Sequence, residues 1–190
     1  MDRASVIEVE YRFPGHLRDR IDALYQDRGL AFTGHYSIID HYFAFDSASG
    51  NQYRLRKAVE HTVPLPTLQY YEMRKEPLDG FLQETSRPLD FDTYHELITK
   101  KGDPLFSVKG ERMQFSYQRI NICLDSLDAL GEWTELEVLV DLERDIRDAE
   151  TEIFNFVRTI ETYDGEILQH LTKETYPSLL LNHHEAHHTC

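Results

Sequence analysis

Residues 5–13 read Ser5-Val6-Ile7-Glu8-Val9-Glu10-Tyr11-Arg12-Phe13, and their alternation decides the fold. Ile7, Val9 and Tyr11 fall on one face and Glu8, Glu10 and Arg12 on the other. Period two is the signature of a strand, on which side chains two apart point the same way. The same pattern returns further along. Arg54 and Arg56 share one face of a strand over 52–58, and Glu135 and Glu137 share one face of a strand over 132–140. A single charged pair on a strand is by default a solvated face. Several acidic and basic pairs on successive strands suggest another arrangement. Closed into a barrel with helices outside, such strands would put carboxylates and guanidiniums into one tunnel.

Around these segments the chain predicts further strands over 38–45, 68–76, 105–112, 113–118 and 119–125, with a turn over 47–51. Pro14-Gly15 breaks the first strand. Leu17, Ile21 and Leu24 then recur at helical spacing, with Gly29 as a cap. Phe91, Tyr94, Leu97 and Ile98 mark a short helix. Between 142 and 161, Ile146, Ala149, Ile153, Phe156, Val157 and Ile160 form one apolar helical stripe. A second short helix is expected over 165–173. No repeat and no long linker divides the chain, so residues 1–181 read as one domain and 182–190 as a His-rich, disordered tail. Strands bracketed by helices imply an α+β fold with a mostly antiparallel sheet.

Composition narrows the function classes. The 190 residues carry a net charge of −14, which disfavours nucleic acid or an anionic membrane as partner. No run approaches the roughly 20 apolar residues of a membrane span. The N-terminus lacks an apolar signal core, and Cys123 and Cys190 form no disulfide framework, so a cytoplasmic location is expected. The basic residues cluster at Arg54, Arg56 and Lys57 and again at Arg74 and Lys75. A locally basic cavity in an acidic molecule suits a small polyanion. Hard cations such as Mg²⁺ or Mn²⁺ take carboxylate oxygens and bridge to phosphates. Arginine neutralises phosphate through paired hydrogen bonds. There is no nucleophilic Ser or Cys motif, phosphate-cradling glycine loop or zinc spacing.

The chain resembles the CYTH family of triphosphate tunnel metalloenzymes. Ile7-Glu8-Val9-Glu10-Tyr11-Arg12 is similar to the family's N-terminal Glu-x-Glu-x-Lys strand, with Arg12 in place of lysine. Ile39-Asp40-His41-Tyr42-Phe43, Tyr53-Arg54-Leu55-Arg56, Val108-Lys109 through Arg112, and Ile122-Cys123-Leu124-Asp125 follow in the family's order. Leu130-Gly131, Thr134-Glu135-Leu136-Glu137 and Tyr176-Pro177-Ser178-Leu179-Leu180 complete the series. The resemblance implies a closed antiparallel barrel of about eight strands with helices packed outside. It implies Glu8, Glu10 and Glu137 as catalytic carboxylates. Glu8, Glu10, Glu135 and Glu137 would be metal ligands, with Asp125 a further one. Arg12, Arg54, Arg56, Lys109 and Arg112 would bind phosphate, joined by Arg74 or Lys75. The implied reaction is Mg²⁺- or Mn²⁺-dependent attack on a small-molecule triphosphate. Water as nucleophile would make a triphosphatase, and a ribose 3′-hydroxyl a class IV adenylyl cyclase. A binding module without turnover is a third reading, and a homodimer is left open.

Overall fold

The computed structural model describes residues 4–15, 17, 29–78, 81–140, 146–161 and 167–188. Eight strands run β1 (Ala4–Pro14), β2 (Ala31–Phe45), β3 (Gln52–Glu60), β4 (Thr67–Leu78), β5 (Phe81–Leu89), β6 (Phe106–Tyr117), β7 (Ile120–Leu127) and β8 (Gly131–Val140). They close into one barrel in the order β1-β5-β4-β3-β2-β6-β7-β8, and every pairing is antiparallel. β1 closes it by pairing with β5 on one edge and β8 on the other, with Glu10 opposite Glu137 and Arg12 opposite Glu135.

The barrel is inverted relative to a small globular sheet, with its charged face inward. Ile7, Val9 and Phe13 of β1 point outward and are 3%, 1% and 4% exposed. They lie under the helix α2 (Ile146–Glu161), where Ala149, Ile153, Phe156, Val157 and Ile160 form the buried stripe the periodicity predicts. A second outer cluster joins Tyr53, Leu55 and Tyr70 to Tyr94 of the helix α1 (Phe91–Lys101). That helix starts at Asp90, whose carboxylate accepts from the Thr93 amide at 2.7 Å, and ends at Gly102. The short helix α3 (Ile167–His170) follows, and α4 (Tyr176–His188) ends the described chain. Tyr176 and Leu180 of α4 pack with Tyr42, Val108 and Leu127.

Four expectations change. Strand β5 was not read from the sequence. The runs 105–112 and 113–118 are the single continuous strand β6. β2 begins at Ala31, seven residues before the predicted start at 38. Helix α4 continues through 182–188, where a disordered tail was expected. The helix read from Leu17, Ile21 and Leu24 falls largely outside the described residues. Among the described residues no helix is long and apolar enough to cross a membrane.

Candidate functional site

Strand parity builds the site. On β1 the even positions Glu8, Glu10 and Arg12 enter the lumen; on β3 Gln52, Arg54 and Arg56 do; on β8 Glu135 and Glu137 do. They line a cavity of about 270 Å³. Among its described lining residues are five cations, Arg12, Arg54, Arg56, Lys75 and Arg112, and six carboxylates, Glu8, Glu10, Asp40, Glu84, Glu135 and Glu137. Apart from Asp40 and Glu84, all of these are residues for which the sequence predicted a site role.

Each cation is held by carboxylates. Arg56 donates to both oxygens of Asp40, at 2.6 and 2.7 Å. Arg54 donates to Glu84 at 3.1 Å and to the Tyr42 hydroxyl at 3.1 Å. Lys75 contacts Glu8 and lies 2.9 Å from Glu10. Arg12 donates through Nε to Glu135 at 3.0 Å, contacts Glu10, and has its guanidinium 4.7 Å from the Tyr176 ring centre. Arg112 donates to both oxygens of Asp125 at 2.7 Å and stands 3.3 Å from Glu135.

These pairings sort the acids. Burial works to raise the Asp40 carboxyl, but Arg56 and Arg54 outweigh it and hold it at about 2. Burial is likewise overcome at Glu135, where Arg112 and Arg12 bring the carboxyl down to about 2. Burial opposes ionisation of Glu8 too, and Lys75 with Arg54 still lowers it. Glu137 goes the other way: burial, then the charges of Glu8 and Glu135, push it up to about 8. Its one side-chain donor among the described hydrogen bonds is Asn121, at 3.2 Å. Glu84 is raised by burial and by Glu8. The lumen therefore holds more carboxyl groups than cations, and Glu137 and Glu84 are the two whose ionisation that crowding opposes.

Two predicted phosphate ligands lie elsewhere. Lys109 is exposed on the outer face of β6, because the lumen takes the even positions Val108 and Arg112. Arg74 is one residue off the lumen register of β4; its guanidinium packs 4.9 Å from the Tyr53 ring centre and 3.4 Å from Glu72. Of the two alternatives on that strand, Lys75 is the one in the tunnel. Asp125 is fully buried, with both oxygens on Arg112 and one also accepting from the Tyr176 hydroxyl at 2.6 Å. It holds Arg112 in place and has no oxygen turned to the cavity.

Asp40, Glu84 and Gln52 were not assigned roles from the sequence. Glu84 sits on β5, in register with Lys75. The Asp79-Gly80 dipeptide between β4 and β5 is a strong hairpin signal and could have revealed that strand. Asp40 lies directly opposite Arg56 in the β2–β3 hairpin. Gln52 is 2% exposed, lines the cavity, and among the described residues neither its amide nitrogen nor its amide oxygen has a hydrogen-bond partner.

Among the described residues, no three His, Cys, Asp or Glu side chains stand arranged to hold a metal as they are. Lys75 occupies the space between Glu8 and Glu10. The donor set nonetheless suits a hard divalent cation, since Glu8, Glu10 and Glu137 offer only carboxylate oxygens. The crowding that holds a proton on Glu137 is also what such a cation would relieve.

A closed antiparallel barrel whose lumen is lined by guanidinium and carboxylate groups defines the class, a charge-lined tunnel barrel. The model of the CYTH domain matches residues 6–171, and the chain belongs to that family. No curated protein matches it by sequence. Among solved structures it is similar to the PH1819 protein of Pyrococcus horikoshii, at 19% identity and a TM-score of 0.72, covering 92% of this chain and 98% of that one. A proposed adenylate cyclase from Vibrio parahaemolyticus aligns at 16% identity and a TM-score of 0.64, covering 92% and 97%. A Hippeastrum protein, proposed as an adenylyl cyclase and found to have a dominant triphosphatase activity, aligns at 13% identity and a TM-score of 0.50, covering 82% and 87%.

Proposed function

We propose that this chain binds a triphosphate in its tunnel and hydrolyses it with the help of Mg²⁺ or Mn²⁺. The observation that supports this most is the convergence of five cations and six carboxylates on one cavity. Arg54, Arg56, Arg12 and Arg112 would take phosphate oxygens, exchanging carboxylate partners for phosphate through charge-assisted hydrogen bonds of similar kind. Lys75 would add a fifth positive charge. The carboxylates released by that exchange, Glu8 and Glu10, would hold the cation together with Glu137. A bound divalent cation supplies Lewis-acid stabilisation of phosphate oxygens and lowers the pKa of a coordinated water. Glu135, already neutralised by Arg12 and Arg112, orients those two guanidiniums.

The same residues would serve an adenylyl cyclase, with a ribose 3′-hydroxyl as nucleophile and pyrophosphate as leaving group. A chamber beside the cavity, lined in part by Pro77, Phe81 and Leu82, favours giving that reading a place. The deciding experiment incubates the protein with Mg²⁺ or Mn²⁺ and ATP, thiamine triphosphate or inorganic tripolyphosphate. Hydrolysis predicts metal-dependent release of inorganic phosphate. Cyclic AMP and pyrophosphate without free phosphate would establish the cyclase, and metal-dependent binding with no product would leave a binding module.

A further inference from the structure

We infer that Gln52 is a positioning residue: it receives the Lys75 ammonium when a divalent cation takes Glu8 and Glu10, and holds it toward the phosphates. This rests on the metal-dependent reading above and adds to it the residue that lets the partners exchange.

Lys75 is the cation most committed to that exchange. It is 5% exposed, contacts Glu8 and lies 2.9 Å from Glu10. Both carboxylates belong to β1, which lies beyond β5 in the barrel order, so the lysine reaches past its neighbouring strand to meet them. Their oxygens are also those a hard cation would use. An ammonium and a divalent cation repel each other at the same oxygens, so Lys75 has to leave as the cation arrives. A buried ammonium left without acceptors is costly, and it needs others close by.

The strands on either side of β4 supply them. Lys75 stands directly opposite Gln52 of β3 and Glu84 of β5. Residues directly opposite on paired strands have Cβ atoms about 4.5–5.5 Å apart, well within reach of these side chains. Lys75 Nζ already lies 3.8 Å from Glu84. Gln52 is buried and faces the lumen, and among the described residues both atoms of its amide lack a partner. Buried polar groups are nearly always satisfied, so an amide orphaned on both atoms is kept for a ligand-bound state.

The chemistry of an amide fits that state. An ammonium carries three hydrogens, which the Gln52 oxygen, Glu84 and a phosphate oxygen match one to one, while the Gln52 nitrogen donates to the phosphate as well. A carboxylate at this position would pair with Lys75 and cancel the charge that the phosphate needs. An apolar side chain would offer it nothing. An amide accepts the ammonium and leaves its charge intact.

Calorimetric titration of Mn²⁺, with no triphosphate present, tests this in the wild type, Gln52→Met, Lys75→Gln and the double variant. The tunnel site is the one weakened in Glu137→Gln. Gln52→Met should weaken it about tenfold or more, as for the loss of a hydrogen bond to a charged group. The same substitution should have no effect in the Lys75→Gln background, where there is no ammonium to receive. Equal Mn²⁺ affinity in the wild type and Gln52→Met, or an equal loss in both backgrounds, overturns the inference and leaves the metal-dependent reading standing. No Mn²⁺ binding by the wild type overturns that reading and this inference together. If Lys75→Gln does not fold, the side-chain amide resonance of Gln52, assigned by its absence in Gln52→Met, decides the point. It should shift when the wild type is saturated with Mg²⁺, and an unmoved resonance overturns the inference.

Discussion

Replacing Gln52 with Met separates stability from function at one position. The two side chains have similar length and volume, so the swap leaves packing nearly unchanged. In the free protein it removes an amide that is 2% exposed and, among the described residues, unpartnered at both nitrogen and oxygen. A buried polar group without a partner costs about 1–3 kcal/mol, so the variant should be more stable by an amount in that range. For a chain of this size each kcal/mol moves Tm by about 2–4 °C. Differential scanning calorimetry without ligand should therefore show a higher Tm in Gln52→Met. Scans with saturating metal and ATP should show the opposite ordering of ligand-induced shifts, with the larger rise in the wild type. A lower Tm in the variant, or equal ligand-induced shifts, would refute the claim that this amide is kept for a ligand.

Other perturbations read other parts of the site. Glu137→Gln should leave the fold intact at pH 7, because burial and the charge of Glu8 already keep Glu137 protonated up to about 8; metal affinity should fall and activity should recover at higher Mn²⁺. In the wild type, metal binding should release a proton below pH 8, so affinity rises with pH up to that point, a dependence that calorimetry in two buffers should find flattened in Glu137→Gln. Because the native state holds this proton more tightly than the unfolded chain, the group's contribution to metal-free stability falls as pH rises from about 4.5 to 8. Asp40 has the opposite sign: held at about 2, it contributes stability above its unfolded value that is lost as pH falls toward 2, and Asp40→Asn should flatten that acid limb of the stability curve. Arg56→Ala should cut kcat/KM roughly ten- to hundredfold, as expected for losing a charge-assisted hydrogen-bonding group. It should also lower Tm, since it leaves the buried Asp40 with only the more distant Arg54, at 3.6 Å, and adding Asp40→Asn should restore part of that loss. Gly110→Ala should destabilise by about 1–3 kcal/mol in urea titration, because a Cβ there collides with the backbone oxygen of Ser126 on β7.

The parts of the fold that were legible in the sequence are those whose two faces differ chemically. β1, β3 and β8 alternate apolar and charged residues because one face packs under helices and the other lines the lumen, and the helix α2 carries an unbroken apolar stripe. β5 was missed because Phe81-Leu82-Gln83-Glu84-Thr85-Ser86 has little apolar contrast, and its outward residues are only partly buried. Splitting β6 in two restored the count of eight strands by an offsetting error. Lys109 was assigned to the tunnel because a strand read without a fixed register can be wrong by one residue, and one residue turns a side chain to the opposite face. Arg74 and Lys75 posed the same question of parity, which the pairing of Lys75 with Gln52 and Glu84 answers. Asp40 and Glu84 had to come from the structure, since their importance lies in partners on neighbouring strands.

The account depends most on one exchange, in which a triphosphate takes the tunnel's cations while a divalent cation takes Glu8 and Glu10, the carboxylates that Lys75 and Arg12 release. Titration calorimetry of tripolyphosphate and of ATP into the wild-type protein, with and without Mn²⁺, measures it directly. The account predicts near-stoichiometric binding that tightens at least tenfold with the cation, for at least one of these ligands. Binding that the cation leaves unchanged, or no binding of either ligand, would contradict it.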